Sequence, residues 1–214
     1  MELSILDPFG DYESAGYLRN VYGLHDLERV GHLETASFRE EVLGATRHLR
    51  RISVLRYEDV LETHRRLFLA LYPWAGQDRF ATAPTIAIAK GGYNNLFSHP
   101  AECRLAAEYA LRLGQDVKYL RAQAGEVFGY LAHSHPFLEG NGRTILTVFA
   151  ELTRRAGFYV VWEDIDKREF LDRLTDELLQ PGKGIMDQLI LPYVRAGALT
   201  AEMTARRLRV RFQL

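Results

Sequence analysis

Two strongly apolar helical runs stand nearly end to end, and the turn between them is so short that they must fold back on each other. The first runs from about Lys118 to Ser134, with Leu120, Ala124, Val127 and Leu131 on its inner side. The second runs from about Asn141 to Ala156, is apolar at Ile145, Val148, Phe149 and Leu152, and closes at Gly157. Offsets of three and four define an amphipathic helix, and a hairpin this apolar belongs at the centre of a bundle. The same period predicts a helix from Glu58 to Tyr72, with Val60, Leu61, Leu67, Phe68 and Leu71 on one face and Pro73 as its end. Ser98-His99-Pro100 opens another, running to Leu113 with Gly114 as a stop. Residues 166–214 read as a further helical extension. With no repeat, linker or low-complexity tract, residues 1–214 read as one mainly α domain.

One segment breaks the helical period. Pro84-Thr85-Ile86-Ala87-Ile88-Ala89 alternates at period two, Lys90-Gly91-Gly92 offers a turn, and Tyr93 to Phe97 can return. That pattern predicts a short β-hairpin. An isolated hairpin is marginal in water, so it must lean on the bundle or await a partner strand. Tyr93 and Phe97 then either touch that partner or pin the hairpin.

Composition sets limits on function. The 214 residues carry 27 Lys and Arg against 28 Asp and Glu, a net charge of −1, which speaks against nucleic acid as a direct ligand. The basic runs Arg206-Arg207-Leu208-Arg209-Val210-Arg211 and Arg47, Arg50, Arg51 read as solvated faces. The single Cys103 cannot form an internal disulfide, and no Cys/His spacing suggests zinc. No basic start with an apolar run marks a signal peptide, and no apolar stretch approaches the ~20 residues of a membrane span. The expectation is a cytoplasmic protein with no membrane partner. Trp74 and Trp162 read as core anchors, and His64 and His133 as hydrogen-bonded structural residues.

Chemistry concentrates in the turn between the two central helices, His135-Pro136-Phe137-Leu138-Glu139-Gly140-Asn141-Gly142-Arg143-Thr144-Ile145-Leu146. Backbone N–H groups at a helix start, left open by Gly140 and Gly142, form an anion site. Arg143 adds a permanent charge suited to phosphate oxygens. Glu139 is a hard oxygen ligand where a phosphate-bridging magnesium ion would need one. His135, with an ordinary pKa near neutrality, suits a general base acting on a hydroxyl. Lys90 either reaches phosphate or flanks its turn. The segment reads as a phosphate-chemistry site.

The same stretch resembles the signature of the Fic family, H-P-F-x-(D/E)-G-N-G-R-x-x-R, at eight of its nine specified positions. Tyr72-Pro73-Trp74-Ala75-Gly76-Gln77-Asp78-Arg79 is similar to the family's Y-x-W-A-G-x-x-R element. Ile88-Ala89-Lys90-Gly91-Gly92 resembles its flap hairpin, and Gly16-Tyr17-Leu18-Arg19-Asn20 its N-terminal element, so the likeness covers roughly residues 9–165. It implies a Fic-type helical bundle with a β-hairpin flap over the site. It also implies transfer of AMP from ATP to a hydroxyl of a target protein. By that resemblance His135 is the base and Glu139 holds Mg²⁺. Asn141 and the amide of Gly142 cradle the α-phosphate, and Arg143 meets the β-phosphate. Phe137 plugs the loop into the bundle, while flap residues Ile86, Ala87, Ile88, Ala89, Gly91 and Gly92 pair with the target as an added strand.

The family's last arginine is Leu146 here. Three readings follow: AMP transfer with another group on the γ-phosphate, a nucleotide donor without a γ-phosphate, or a reversed nucleotide and phosphate transfer. Doc toxins, whose motif ends N-K-R-T-A-L, are similar in Thr144 and Leu146 but carry lysine at the position of Gly142. Gly142 ranks nucleotidyl transfer first. A Fic-fold protein that binds nucleotide or a partner with weakened chemistry is the rival. The inhibitory pattern (S/T)-x-x-x-E-(G/N) is absent, since the one Glu followed by Gly or Asn is Glu139, with His135 at the Ser/Thr position, which points to a small antitoxin in trans, in the manner of a toxin or effector.

Overall fold

The computed structural model describes residues 18–86, 88, 92–93 and 95–212. Helix α1 spans Leu27–Leu49, capped by Asp26, whose carboxylate accepts the Glu28 and Arg29 N–H groups. Its buried stripe of Val30, Phe38, Val42, Ala45 and Leu49 packs on α2, Tyr57–Phe68. That second helix ends before the predicted Tyr72. Phe68, Leu71 and Tyr72 leave the helix as a buried turn leading into Trp74, whose indole donates to the Arg19 carbonyl. Of the N-terminal element, Gly16 and Tyr17 lie outside the described residues. Asn20 is buried and brackets the Leu18 and Leu24 carbonyls with its amide.

After the short α3, Arg79–Thr82, and a 3-10 turn at Pro100–Glu102 come α4, Cys103–Gln115, α5, Val117–Ala122, and α6, Ala124–Ser134. Two sequence expectations are corrected here. Gly114 does not stop α4; it lies inside the helix, where a Cβ would come within 2.7 Å of Leu152 Cδ1, so it serves close packing. The helix from Lys118 to Ser134 is two helices, broken at Gln123. The second half is capped from far away: the Asp187 carboxylate accepts the N–H groups of Gly125 at 2.6 Å and Glu126 at 3.1 Å.

Helix α7, Asn141–Arg155, is buried on nearly all sides and forms the centre of the bundle with α6. Its far end is tied down by Arg155, which donates to the carbonyls of Leu49, Ile52 and Ser53 while pairing with the buried Glu151. The rest is α8, Lys167–Leu179, α9, Ile185–Ile190, and α10, Ala201–Arg211. Strand β1, Phe158–Val160, pairs antiparallel with β2, Val194–Ala196, with Tyr159 opposite Arg195. This sheet interrupts the extension that the sequence read as helical throughout. Around Phe128 and Phe149 of the central pair, Trp162 and Phe170 close an aromatic cluster at centroid separations of 5.3 to 5.9 Å.

The basic tail is structural rather than a solvated face. Arg207 pairs with Glu163, Arg209 donates to the Arg39 carbonyl, and Arg211 donates to the carbonyls of Trp162 and Ile165. Arg47 pairs with Glu202, so this ion pair and the Arg209 bond join α10 to α1, while Arg50 donates to the Leu199 carbonyl. No helix among the described residues is long and apolar enough to cross a membrane. Of the predicted hairpin, Ala87, Ala89, Lys90 and Gly91 lie outside the described residues. Ile86 and Tyr93 are exposed, Gly92 has φ +85°, and Tyr93 forms a lone bridge.

Candidate active site

The turn from α6 to α7 is held in one shape by its own side chains and by two neighbours. Asn141 closes it from within: its Oδ1 accepts the Phe137 N–H at 2.9 Å and its Nδ2 donates to the Phe137 carbonyl at 2.7 Å. The side chain expected to cradle phosphate therefore locks the loop. Phe137 is fully buried and stacks on His64 at 3.8 Å between ring centroids. His64 has its protonation fixed by geometry. Its Nδ1 accepts the Gly76 N–H at 2.9 Å, so its Nε2–H donates to the Glu139 carbonyl at 3.0 Å. Complete burial, with the nearby Arg143 charge, pulls its pKa from 6.5 to about 3, so it is neutral in the folded protein. This bears out its structural reading.

Gly140 has φ +79°, and a Cβ there would sit 2.6 Å from the Phe68 ring, so the turn needs glycine twice over. Gly142 differs. Nothing lies within 4 Å of where its Cβ would be, which leaves the first turn of α7 open. No side chain caps this helix, and Asn141, Gly142 and Arg143 of its first turn line a cavity, where the positive end of the helix favours an anion.

His135 has φ 37° and ψ 57°, the left-handed region, and is the only non-glycine residue at positive φ among those described. Such a conformation costs about 1–2 kcal/mol and must be enforced. Arg79 enforces it. Its backbone N–H donates to the Pro136 carbonyl at 2.7 Å, its Nε to the His135 carbonyl at 2.8 Å, and its Nη2 to the Ser98 carbonyl at 2.7 Å. The guanidinium is fully buried, and its Nη1 has no partner. Ser98 adds a bond from its hydroxyl to the Ser134 carbonyl. His133 Nδ1 lies 2.9 Å from the Leu96 carbonyl, a structural role as expected. Phe97, the last residue of the predicted hairpin, stacks on the His135 ring at 3.7 Å. It pins the base.

A cavity of about 390 Å³ opens beside this loop. His135, Glu139, Gly140, Asn141, Gly142 and Arg143 line it together with the apolar Phe128, Phe170, Leu171 and Leu174, and Lys167 and Arg211 are also on its wall. Leu146 is buried in that wall. A wider groove of about 840 Å³ elsewhere, between Arg56, Glu108 and Arg155, contains none of the loop residues. Glu139 is half exposed, and its Oε1 accepts the Gly140 N–H at 2.8 Å. Burial and the Glu34 carboxylate raise its pKa. A carboxylate short of positive charge, open to the cavity, fits a hard divalent cation. Arg143 is not free: its Nη2 lies 2.7 Å from Glu34 Oε2 and 3.6 Å from Glu139 Oε1, and its guanidinium sits over Phe68 at 5.0 Å. Glu34 was missed in the sequence. Its one signal is the i, i+3, i+4 spacing of Gly31, Glu34 and Thr35, which puts all three on the cavity wall.

Residues 54–153 match the model of the Fic/DOC family. Over 188 residues the chain is 30% identical to the protein adenylyltransferase VbhT of Bartonella schoenbuchensis, covering 86% of this chain and 38% of that protein. It is 35% identical over 124 residues to the probable protein adenylyltransferase y4lH of Sinorhizobium fredii, covering 52% of this chain and 59% of that one. The chain thus spans about two fifths of the first of these relatives and three fifths of the second. In three dimensions it is similar to the BepC protein of Bartonella tribocorum, solved with bound AMPPNP. The TM-score is 0.69 at 21% identity, covering 86% of this chain and 95% of that one, a likeness of fold. The loop of His135, the uncapped helix start beside it and these similarities lead to one assignment: the chain belongs to the Fic/DOC family, through a domain over residues 54–153.

Proposed function

We propose that this protein transfers AMP from ATP to a hydroxyl of a target protein. The observation that carries the reading is the placement of His135, fixed in a strained conformation, on the same cavity as the uncapped start of α7. The relatives named as protein adenylyltransferases and the AMPPNP-bound BepC support it.

In this scheme the α-phosphate rests on the open N–H groups at Gly142 and its neighbours, where the helix end stabilises negative charge. His135 takes the proton of the acceptor hydroxyl. The oxygen forms a bond to the α-phosphorus as the bond to the bridging oxygen breaks, and pyrophosphate leaves. Charge develops on phosphate oxygens already facing fixed donors, so most of the catalysis is positioning and electrostatics. Mg²⁺, held by Glu139, would supply further positive charge to those oxygens. The apolar residues of the cavity wall suit a purine ring. The hairpin, with Ile86 and Tyr93 exposed, would hold an extended stretch of the target as an added strand. A small antitoxin in trans remains part of this proposal.

Leu146 supports a second reading. It puts an apolar wall where the family motif has arginine, which favours a donor whose terminal group is not a free phosphate, or phosphate transfer from a reversed nucleotide. Intact-mass spectrometry after incubation with ATP, Mg²⁺ and a cell lysate, beside His135→Ala, separates these. The proposal expects a His135-dependent gain of one AMP on a protein. A gain of one phosphate selects the second reading, and no adduct from ATP or any other nucleotide donor overturns both.

A further inference from the structure

Helix α1 contributes a carboxylate to the phosphate end of the cavity, and its surroundings give it a defined job. Glu34 is bonded through both oxygens: Oε2 meets Arg143 Nη2 at 2.7 Å, and Oε1 accepts the Tyr72 hydroxyl. Both the glutamate and arginine side chains are only 12% exposed, so the pair is shielded from bulk water. Arg143 is held on a second side by the Phe68 ring and stands 3.6 Å from Glu139. The guanidinium therefore has one orientation. It also has little charge to spare. Two carboxylates and one guanidinium at the loop sum to a net negative charge, and Lys167 and Arg211 belong to the other helices of the cavity wall.

We infer that Glu34 is a positioning residue that fixes Arg143 at the phosphate end of the cavity and makes polyphosphate binding depend on an accompanying divalent cation. The inference rests on the nucleotide reading above. Glu34 has two effects of opposite sign. Its charge repels a bare polyphosphate, which weakens metal-free binding. Its hydrogen bond orients Arg143, which speeds the chemical step. A residue with a merely structural role would weaken both together when replaced.

The test is calorimetric ATP binding to the full chain carrying His135→Ala, with Mg²⁺ and with EDTA, alone and combined with Glu34→Gln. Turnover is measured on the His135 protein. Glu34→Gln should tighten ATP binding in EDTA by about tenfold, because one buried charge repelling the phosphates is gone. It should lower turnover with Mg²⁺ by about tenfold through the loosened arginine. Tyr72→Phe keeps the charge and frees only one carboxylate oxygen, so it should lower turnover while leaving metal-free binding unchanged. Unchanged or weaker EDTA binding in Glu34→Gln, with the melting temperature preserved, overturns the inference alone. Failure of every protein to bind ATP with Mg²⁺ overturns the nucleotide reading and this inference with it.

Discussion

His64 and Arg79 show how a loop of a few residues is kept in a reactive shape by buried polar groups that never touch the cavity. His64 is buried neutral, with a pKa of about 3 against 6.5 for a free imidazole. The unfolded chain takes up a proton below about pH 6.5 that the folded chain refuses, so stability falls as pH falls from 6.5 toward 3. The loss approaches about 1.4 kcal/mol per pH unit within that window. Urea unfolding between pH 7 and 5 should show this slope, and His64→Gln should remove it. An equal slope in the variant would refute the buried-neutral assignment. Arg79 makes its case through acceptors: the carbonyls of His135 and Ser98 hold its fully buried guanidinium, and its backbone N–H takes the Pro136 carbonyl. Arg79→Lys keeps the charge but not the fork, so it should lose about 1.5–3 kcal/mol of stability. It should also cut turnover by far more than it changes nucleotide affinity, as stopped-flow binding beside single-turnover labelling would reveal.

Among the elements, α7 is the one whose first turn was written almost completely in the sequence. Gly-Asn-Gly-Arg after an apolar helix predicted an open helix start, and the two glycines divide the work. At Gly140, alanine meets both a left-handed φ and the Phe68 ring at 2.6 Å, so Gly140→Ala should cost about 2–4 kcal/mol in chemical unfolding. At Gly142 there is open space and no φ constraint. Gly142→Ala should leave the melting temperature unchanged and weaken nucleotide binding alone, and equal destabilisation by the two variants would contradict this division. What the local pattern did not carry was the use of Asn141, because its partners at Phe137 appear only once the turn has closed. The break of the third predicted helix at Gln123 was also invisible: Ala122-Gln123-Ala124 has no proline or glycine to announce it.

Across the whole molecule, distant segments finish the site and its supports. Asp187 caps α6 from a helix late in the chain, and Gly125 is small so that this backbone can approach; a Cβ there would lie 2.1 Å from the Asp187 nitrogen. Asp187→Ala should destabilise the protein by about 1–2 kcal/mol, the cost of losing a cap. Nucleotide affinity, read by calorimetry, should stay the same, since Asp187 does not line the cavity; a parallel loss of binding would show that the central pair moves as a unit. Periodicity and a contiguous motif are local properties, so the central hairpin, the loop and the family were legible along the chain. Packing in three dimensions set which side chains the motif uses against itself, that Glu34 claims Arg143, that Arg79 holds His135, and that Arg209 and Arg211 of the basic tail are pinned to carbonyls. Those are contacts between residues far apart in the chain. They depend on where each helix face lands in the packed bundle, and no spacing along one segment encodes that.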